Sequence, residues 1–445
     1  MRPVVGLPGV DFSIEDVRGA FPDVMDITSL DRPVDAAIQV PGSKSVTNRA
    51  LIVAALADGS STLQNPLISD DSYWLMNALV RLGITARADR EEGVVTIGGQ
   101  GGIIPYRDVD LFVGNAGTAA RFLPPTLALG EGPYRVDGVP RMRERPVEDL
   151  VNAMRQLGAE VGYAGEVGKF PLIVGGGGLR GGVAKVKGTK SSQFLSGLLM
   201  AAPYASERVI LEVEGGLVSR PYVGITAEVM LAFGVEVQAG EDYPWFAVSP
   251  GSYEARRYAI EPDASGASYF MAAAAVTGGR VEIPGLGASS MQGDMRFVEV
   301  LEAMGCGVHL GPNSVEVRGP EKLRGVEIDM NAFSDTMMTL AAIAPFAEGP
   351  TTIKNVGHTR HQETDRISAV AAELTRFGVR VEEWPDGLRI EPGPVRPALV
   401  KTYGDHRMAM AFAITGLMAP GIRIQDPGCV TKTFPDYFER LESLR

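Results

Sequence analysis

The sequence predicts an α/β protein of two similar domains, each made of three repeats with buried helices and outward-facing sheets. Three observations carry this: a six-fold internal repeat, a glycine that closes a second helix in most repeats, and inner helices too apolar to own a wet face. The chain has 445 residues, 45% apolar and 22% charged, enough for two or more domains with cores of their own.

The repeat comes first. Six segments set a polar turn before a helix of small apolar residues: SKSVTNRALIVAALADG, NAGTAARFLPPTLALGEG, SSQFLSGLLMAAPYA, DASGASYFMAAAAVTGG, SDTMMTLAAIAPFAEG and DHRMAMAFAITGLMAPG. They begin at Ser43, Asn115, Ser191, Asp263, Ser334 and Asp405, about 71 to 76 residues apart, the signature of one recurring supersecondary unit. Helices this rich in alanine and apolar on nearly every side belong inside a bundle.

Each repeat then reads on into a second helix, as in MNALVRLGITAR, LVNAMRQLGAEV, ITAEVMLAFGVEV, VEVLEAMGCGVHL and AELTRFGVRVEE. Gly83, Gly158, Gly234, Gly305 and Gly378 suit the left-handed position just past a helix end, and the alternating residues after them suit strands. Short strands such as FPLIVGG and GLRIEP supply the sheets.

Composition excludes several function classes. A formal charge of −12 argues against a nucleic-acid or membrane-surface binder, so an anionic ligand must meet a local basic cluster. Cys306 and Cys429 lie far apart and outside any CxxC pattern, which fits a reducing cytoplasm and no thiolate metal site. The longest apolar runs are too short and interrupted to span a bilayer. The first 34 residues carry Asp11, Glu15, Asp16, Asp23, Asp26 and Asp31 without an apolar signal core, and read as an extension.

The inner helices start with Ser, Asn or Asp, so their N-termini offer side-chain caps and unpaired N–H groups. If those ends converge at a cleft between the domains, their dipoles favour a polyanionic small molecule. Lys44, Ser45, Arg49, Arg121, Arg141, Arg143, Arg145, Arg366, Arg407 and Lys432 sit at helix starts and glycine turns. Asp335 and Glu363 precede or open helices, where a nearby Arg holds a carboxylate ionised and suits it as a base; an acid needs burial or a like charge. GGGLRG, although it matches GxGxxG, is followed by GVAKVKG and reads as a turn between strands. His358 and His361 lack the order and partners of a metal site, and the chain has no GxxxxGK[ST] loop.

Together PGSKSVTNRAL, GNAGTAAR, RMRERP, SSQFLSGLLM, VSRPY, DASGASYF, SMQGD, ETDR, DHRMAM and KTFPDYF resemble the EPSP synthase family of enolpyruvyl transferases, in order from about Val34 to the C-terminus. The resemblance implies the inside-out α/β barrel fold of that family, with residues 35–43 plus 262–445 as one domain, 44–261 as the other, 1–34 as an extension and the active-site cleft between the domains. It implies transfer of the enolpyruvyl group of phosphoenolpyruvate to the 5-hydroxyl of shikimate 3-phosphate, in the shikimate pathway of aromatic amino acid biosynthesis. It implies a cytoplasmic monomer that uses no metal and no cofactor.

Matched motif by motif, shikimate 3-phosphate is expected to meet Lys44, Ser45, Arg49, Ser191, Ser192, Gln193, Ser219, Asp335 and Gln362. Phosphoenolpyruvate is expected to meet Lys44, Gly117, Arg145, Gln193, Arg366, Arg407 and Lys432. The resemblance assigns Asp335 as base for the hydroxyl and Glu363 as proton donor to carbon, with Lys44 and Lys432 stabilising the departing phosphate.

Two residues depart from the family's pattern. Gln362 stands where familiar members have Lys; Gln362→Lys is expected to tighten shikimate 3-phosphate binding by up to about tenfold, roughly 1 kcal/mol, checked by its KM. Phe122 stands where many members have Pro, and Pro124 and Pro125 follow, so the helix is expected to kink or restart there. A shifted first turn would reshape the phosphoenolpyruvate pocket, which the inhibitor glyphosate also occupies in the family, and so lower glyphosate sensitivity.

Two rivals were open. The sister family acting on UDP-N-acetylglucosamine carries Lys-Asn where this chain has Lys44-Ser45, and a loop Cys or Asp, neither of which occurs between Val139 and Pro146. A non-catalytic binding protein on the same fold is disfavoured by the intact Lys44, Asp335, Glu363, Arg366, Arg407 and Lys432.

Overall fold

The structure, a computed structural model, describes Val10 and residues 12–445; the rest of the predicted extension lies outside the described residues. The chain forms two compact units, one holding the described residues up to Val17 and Gly42–Ile260, the other Arg18–Pro41 and Glu261–Arg445.

In the first unit, the segments of small apolar residues fold as the helices Lys44–Leu56, Gly117–Leu127 and Ser192–Ala201, buried along almost their whole lengths. Around them stand sheets of one repeated order. Gly182–Lys187 pairs in parallel with Val209–Glu214, which pairs antiparallel with Trp245–Val248, which pairs antiparallel with Gln238–Ala239. The alternating exposure along Gly182–Lys187 shows one face turned to the helices and one to water. The second unit repeats this build around Ala264–Thr277, Met337–Ile343 and His406–Met418.

The glycines read as helix stops behave as expected. Gly83, Gly158, Gly234, Gly305 and Gly378 have φ of +87°, +93°, +91°, +103° and +83°, which reverses the chain from the second helix into the next strand. GGGLRG is the turn between the strands Leu172–Gly176 and Gly182–Lys187.

Three expectations need correction. Residues 18–34 are not a mere extension: Val24–Asp26 pairs antiparallel with Ile422–Gln425, itself parallel to Ala398–Val400. In the other five sheets among the described residues, a following hairpin strand fills that antiparallel position. The last repeat runs instead into the helix Tyr437–Glu442, and the N-terminal segment supplies the strand.

Second, the polar residues opening the inner helices do not all cap them. Ser191, Asp263 and Asp405 accept from the N–H of Gln193, Gly266 and Arg407. Ser43 occupies the cap position without a side-chain cap bond, and Ala116 takes the position next to Asn115. Ser334 lies in a 3-10 turn, Asn331–Thr336, broken at Phe333 (φ −140°, ψ 43°) before the Met337–Ile343 helix begins.

Third, the helix from Gly117 runs unbroken to Leu127 with Pro124 and Pro125 inside it. The Arg121 carbonyl, which loses the N–H that Pro125 lacks, is met by the Ser192–Ala201 helix at Gly197; a Cβ there would fall 2.4 Å from that oxygen. The restart expected at the prolines therefore does not occur.

Candidate active site

In the second unit, three stretches distant in sequence bring charged side chains together on one guanidinium. Arg366 opens the Arg366–Arg376 helix, whose first turn Asp365 caps by accepting from Ser368 N–H. Its Nε and Nη2 donate to Asp405 at 2.8 and 3.3 Å, Nη1 donates to Asp335 at 3.1 Å, and Nη2 donates to Glu363 at 3.0 Å. Nη1 also donates to the Gln362 side-chain carbonyl. Burial by itself disfavours the cation, but Asp405, then Glu363 and Asp335, outweigh it and raise the Arg366 pKa.

Arg407 and Lys432 complete the cluster. Arg407 donates to Asp335 at 2.7 Å and to the Tyr269 hydroxyl at 3.4 Å, and the Lys432 ammonium stands 3.8 Å from Glu363. Three carboxylates, Asp335, Glu363 and Asp405, thus face three cations, Arg366, Arg407 and Lys432. Burial pushes the Tyr269 hydroxyl up to about 12, so it meets Arg407 as a neutral acceptor. Such a cluster can take an anion on its cations while its carboxylates move protons.

His358, set aside above as a metal ligand, belongs to this neighbourhood. Its Nε2 lies 2.8 Å from Ser334 Oγ, next in the chain to Asp335. Burial lowers its pKa to about 4; Asp335 works against that shift and Arg366 with it. The unfolded ring, near 6.5, therefore takes a proton before the folded one does. Stability is expected to be unaffected above that value and to fall as pH drops from about 6.5 to 4, by on the order of 3 kcal/mol. Denaturant unfolding across this range is expected to show a flatter pH slope in His358→Gln.

In the first unit, Lys44 opens the Lys44–Leu56 helix with its ammonium 3.9 Å from Asp71, and Asn48 Nδ2 donates to Thr118 Oγ1 at 2.6 Å, joining this helix to the glycine turn. The buried Arg145 guanidinium lies against Gly117, where an added Cβ would come within 2.9 Å of its Nη2. Gly117→Ala is expected to displace Arg145 and weaken anion binding about tenfold, read as a raised KM for phosphoenolpyruvate.

The other arginines of PRMRERP serve the fold. Arg143 chelates Asp137 at 2.8 and 2.7 Å, and Arg141 pairs with Glu144 at 2.8 Å on the surface. Arg121 donates to the Gly117 carbonyl and faces Phe170.

Arg49 is more enclosed than its assignment as a ligand contact foresees. It donates to Thr226 Oγ1 at 2.7 Å, the Ser45 carbonyl at 2.8 Å, Ser196 Oγ at 3.1 Å and the Tyr222 carbonyl at 3.0 Å. Burial lowers its pKa to about 10. Phe122 gains a role here: the guanidinium carbon sits 5.2 Å from its ring centroid, a cation–π contact a proline could not make. Ser191, Ser192 and Gln193 form the first turn of the Ser192–Ala201 helix, and Ser219 sits just before the Pro221–Ala232 helix at φ +51°, rare for a serine.

Asp405 and Asp71, the carboxylates that orient Arg366 and Lys44, were missed as site residues in the sequence. For Asp405 the signal was present, since it stands directly before the helix of the DHRMAM stretch; Asp71 lies in the acidic first turn of Asp70–Arg81, a stretch that no basic motif marks.

Comparison with known proteins gives concordant results. The model of the family described as EPSP synthase (3-phosphoshikimate 1-carboxyvinyltransferase) matches residues 30–441. The chain is 53% identical to 3-phosphoshikimate 1-carboxyvinyltransferase of Trichormus variabilis over 418 residues, 94% of this chain and 98% of that protein. It is 54% identical to the protein of that name from Nostoc punctiforme over 420 residues, with the same coverage, and 45% identical to that of Shewanella amazonensis, covering 92% and 96%. Among solved structures, EPSP synthase from Acinetobacter baumannii superposes with a TM-score of 0.80 at 25% identity, covering 95% of this chain and 98% of that one.

Proposed function

Because the chain belongs to the EPSP synthase family, we propose that it transfers the enolpyruvyl group of phosphoenolpyruvate to the 5-hydroxyl of shikimate 3-phosphate, releasing phosphate. The observation that carries the reading is the cluster around Arg366, where Asp335 and Glu363 share its guanidinium while Arg407 pairs with Asp335 and Lys432 with Glu363.

Asp335, held between two guanidinium groups, takes the proton of the 5-hydroxyl as its oxygen attacks C2 of phosphoenolpyruvate. Glu363 gives a proton to C3, producing the tetrahedral intermediate. Arriving phosphoenolpyruvate brings negative charge to Lys432 and Arg366, the cations that otherwise favour Glu363 as an anion, and so moves Glu363 toward its acid form. In the second step the roles reverse: the Glu363 carboxylate takes a proton back from the new methyl group, Asp335 returns its proton to the departing phosphate as the C–O bond to it breaks, and Lys44 and Lys432 take up the developing charge. Shikimate 3-phosphate is held by Ser45, Ser191, Ser192, Gln193, Ser219 and Gln362, with Arg49 contributing the N–H that its protein partners leave over. The reading needs both groups of residues, no metal and no cofactor, and takes the protein as a cytoplasmic monomer.

Phosphate release measured with both substrates together, and with each alone, tests this. Release is expected only with the pair and is expected to collapse in Glu363→Ala; no release from the unaltered protein would overturn the reading. Gln362→Lys sharpens it: since the Gln362 carbonyl accepts from Arg366, the substitution is expected to tighten shikimate 3-phosphate while lowering the Tm by a few degrees.

A further inference from the structure

We propose that the N-terminal arm, which precedes the stretch matched by the family model, is a positioning element of the phosphoenolpyruvate half-site, acting through an aromatic ladder from Phe12 to the glycine turn at Gly114. This rests on the reading above.

The arm is built to dock. Ser13 and Asp16 cap the short helix Ile14–Arg18, with Ser13 N–H donating to Asp16 at 2.7 Å, and Val17 is buried. Arg90 holds the arm from the sheet side, its guanidinium carbon 6.0 Å from the Phe12 ring centroid and its Nη1 3.4 Å from the Asp16 carbonyl.

From there the rings run in series. Phe12 meets Tyr73 edge to face at 5.7 Å, Tyr73 meets Trp74 at 5.2 Å, and Trp74 meets Phe112 at 5.1 Å. Tyr73 and Trp74 lie on the Asp70–Arg81 helix, which also carries Asp71, the partner of Lys44. The far end of the ladder presses on the turn itself. Gly114 (φ +56°) lies so close to the indole that a Cβ would fall 2.5 Å from Trp74 Nε1.

Gly114 is fixed from the other side by Val139, whose N–H donates to its carbonyl at 3.1 Å. Val139 caps the Pro140–Glu144 helix, and Arg145 follows that helix against Gly117. The indole is therefore one jaw of a clamp on Gly114 and the Val139 turn the other. Edge-to-face contacts fix ring orientation as well as distance, so loss of Phe12 frees Tyr73 and Trp74 to turn and loosens one jaw.

The test is Phe12→Ala, with Phe12→Tyr as the conservative variant that keeps a ring. Phe12→Ala is expected to raise the KM for phosphoenolpyruvate about two- to tenfold while that for shikimate 3-phosphate stays within about twofold; Phe12→Tyr is expected to restore it. Hydrogen exchange of peptides covering residues 112–118 is expected to quicken in Phe12→Ala, a readout that needs no turnover. Unchanged exchange there overturns the proposal whether or not the enzyme turns over. So do a KM for phosphoenolpyruvate within about twofold of the unaltered protein, or equal rises in both KM values with a lowered Tm. Absence of phosphate release from the unaltered protein would instead sink the functional reading, leaving exchange to decide the role of the arm.

Discussion

Alanine at Arg366 is expected to remove about 3–5 kcal/mol of stability, along with detectable turnover. The residue is 1% exposed, and its side chain donates to three carboxylates on three separate segments. Its loss leaves Asp405, 0% exposed, without its guanidinium, and the cost is mainly that of a buried charge whose partner is gone. Lysine at this position is expected to recover little, because one ammonium cannot reproduce the fork that chelates Asp405 while reaching Asp335 and Glu363. Denaturant unfolding of both variants, with phosphate release measured well below the shifted midpoint, separates the stability effect from the catalytic one. A loss of stability below about 1 kcal/mol would mean that the carboxylates are served by Arg407 and Lys432 alone.

The Arg366 hub also marks where the sequence stops being legible. Gly378 could be assigned from its neighbours, because a left-handed residue after a helix is a local requirement of the backbone. The burial of His406–Met418 could be assigned too, since no side of AMAFAITGLM suits water. Asp405 could be recognised as a helix cap, but its second partner enters from 39 residues away, and no spacing rule encodes that meeting. The prolines failed for a similar reason. Pro124 and Pro125 break a helix in isolation, whereas here the carbonyl of Arg121 meets Gly197 on another helix. Pairing of Val24–Asp26 with Ile422–Gln425 joins opposite ends of the chain, where local pattern is silent. Residue type and rough place are local properties; the partner that decides whether a cation serves the fold or the ligand is not. Arg143, chelated by Asp137, and Arg145, lying against Gly117, are two residues apart in one motif and meet different surroundings.

Asparagine at Asp335 is expected to lower kcat by about 10²- to 10⁴-fold, the span of lost general-base catalysis, with a smaller change in the KM for phosphoenolpyruvate. The amide keeps the shape and one carbonyl acceptor for the guanidinium groups of Arg366 and Arg407, now 3.1 and 2.7 Å from the carboxylate oxygens, but it cannot take a proton from the 5-hydroxyl. It also leaves those cations short of one negative charge. If Asp335 served only as their counterion, Asp335→Asn would strengthen the attraction of Arg407 for phosphoenolpyruvate, and the main change would be a lower KM at nearly unchanged kcat. Base and counterion therefore predict different parameters to move. Glu363→Gln provides the contrast: as donor to carbon its loss is expected to suppress hydrogen exchange between solvent and C3 of phosphoenolpyruvate. Asp335→Asn blocks the attack that precedes product formation. Following deuterium uptake into unreacted phosphoenolpyruvate in both variants separates the two proton transfers, and uptake abolished by Asp335→Asn but retained in Glu363→Gln would reverse the assignment.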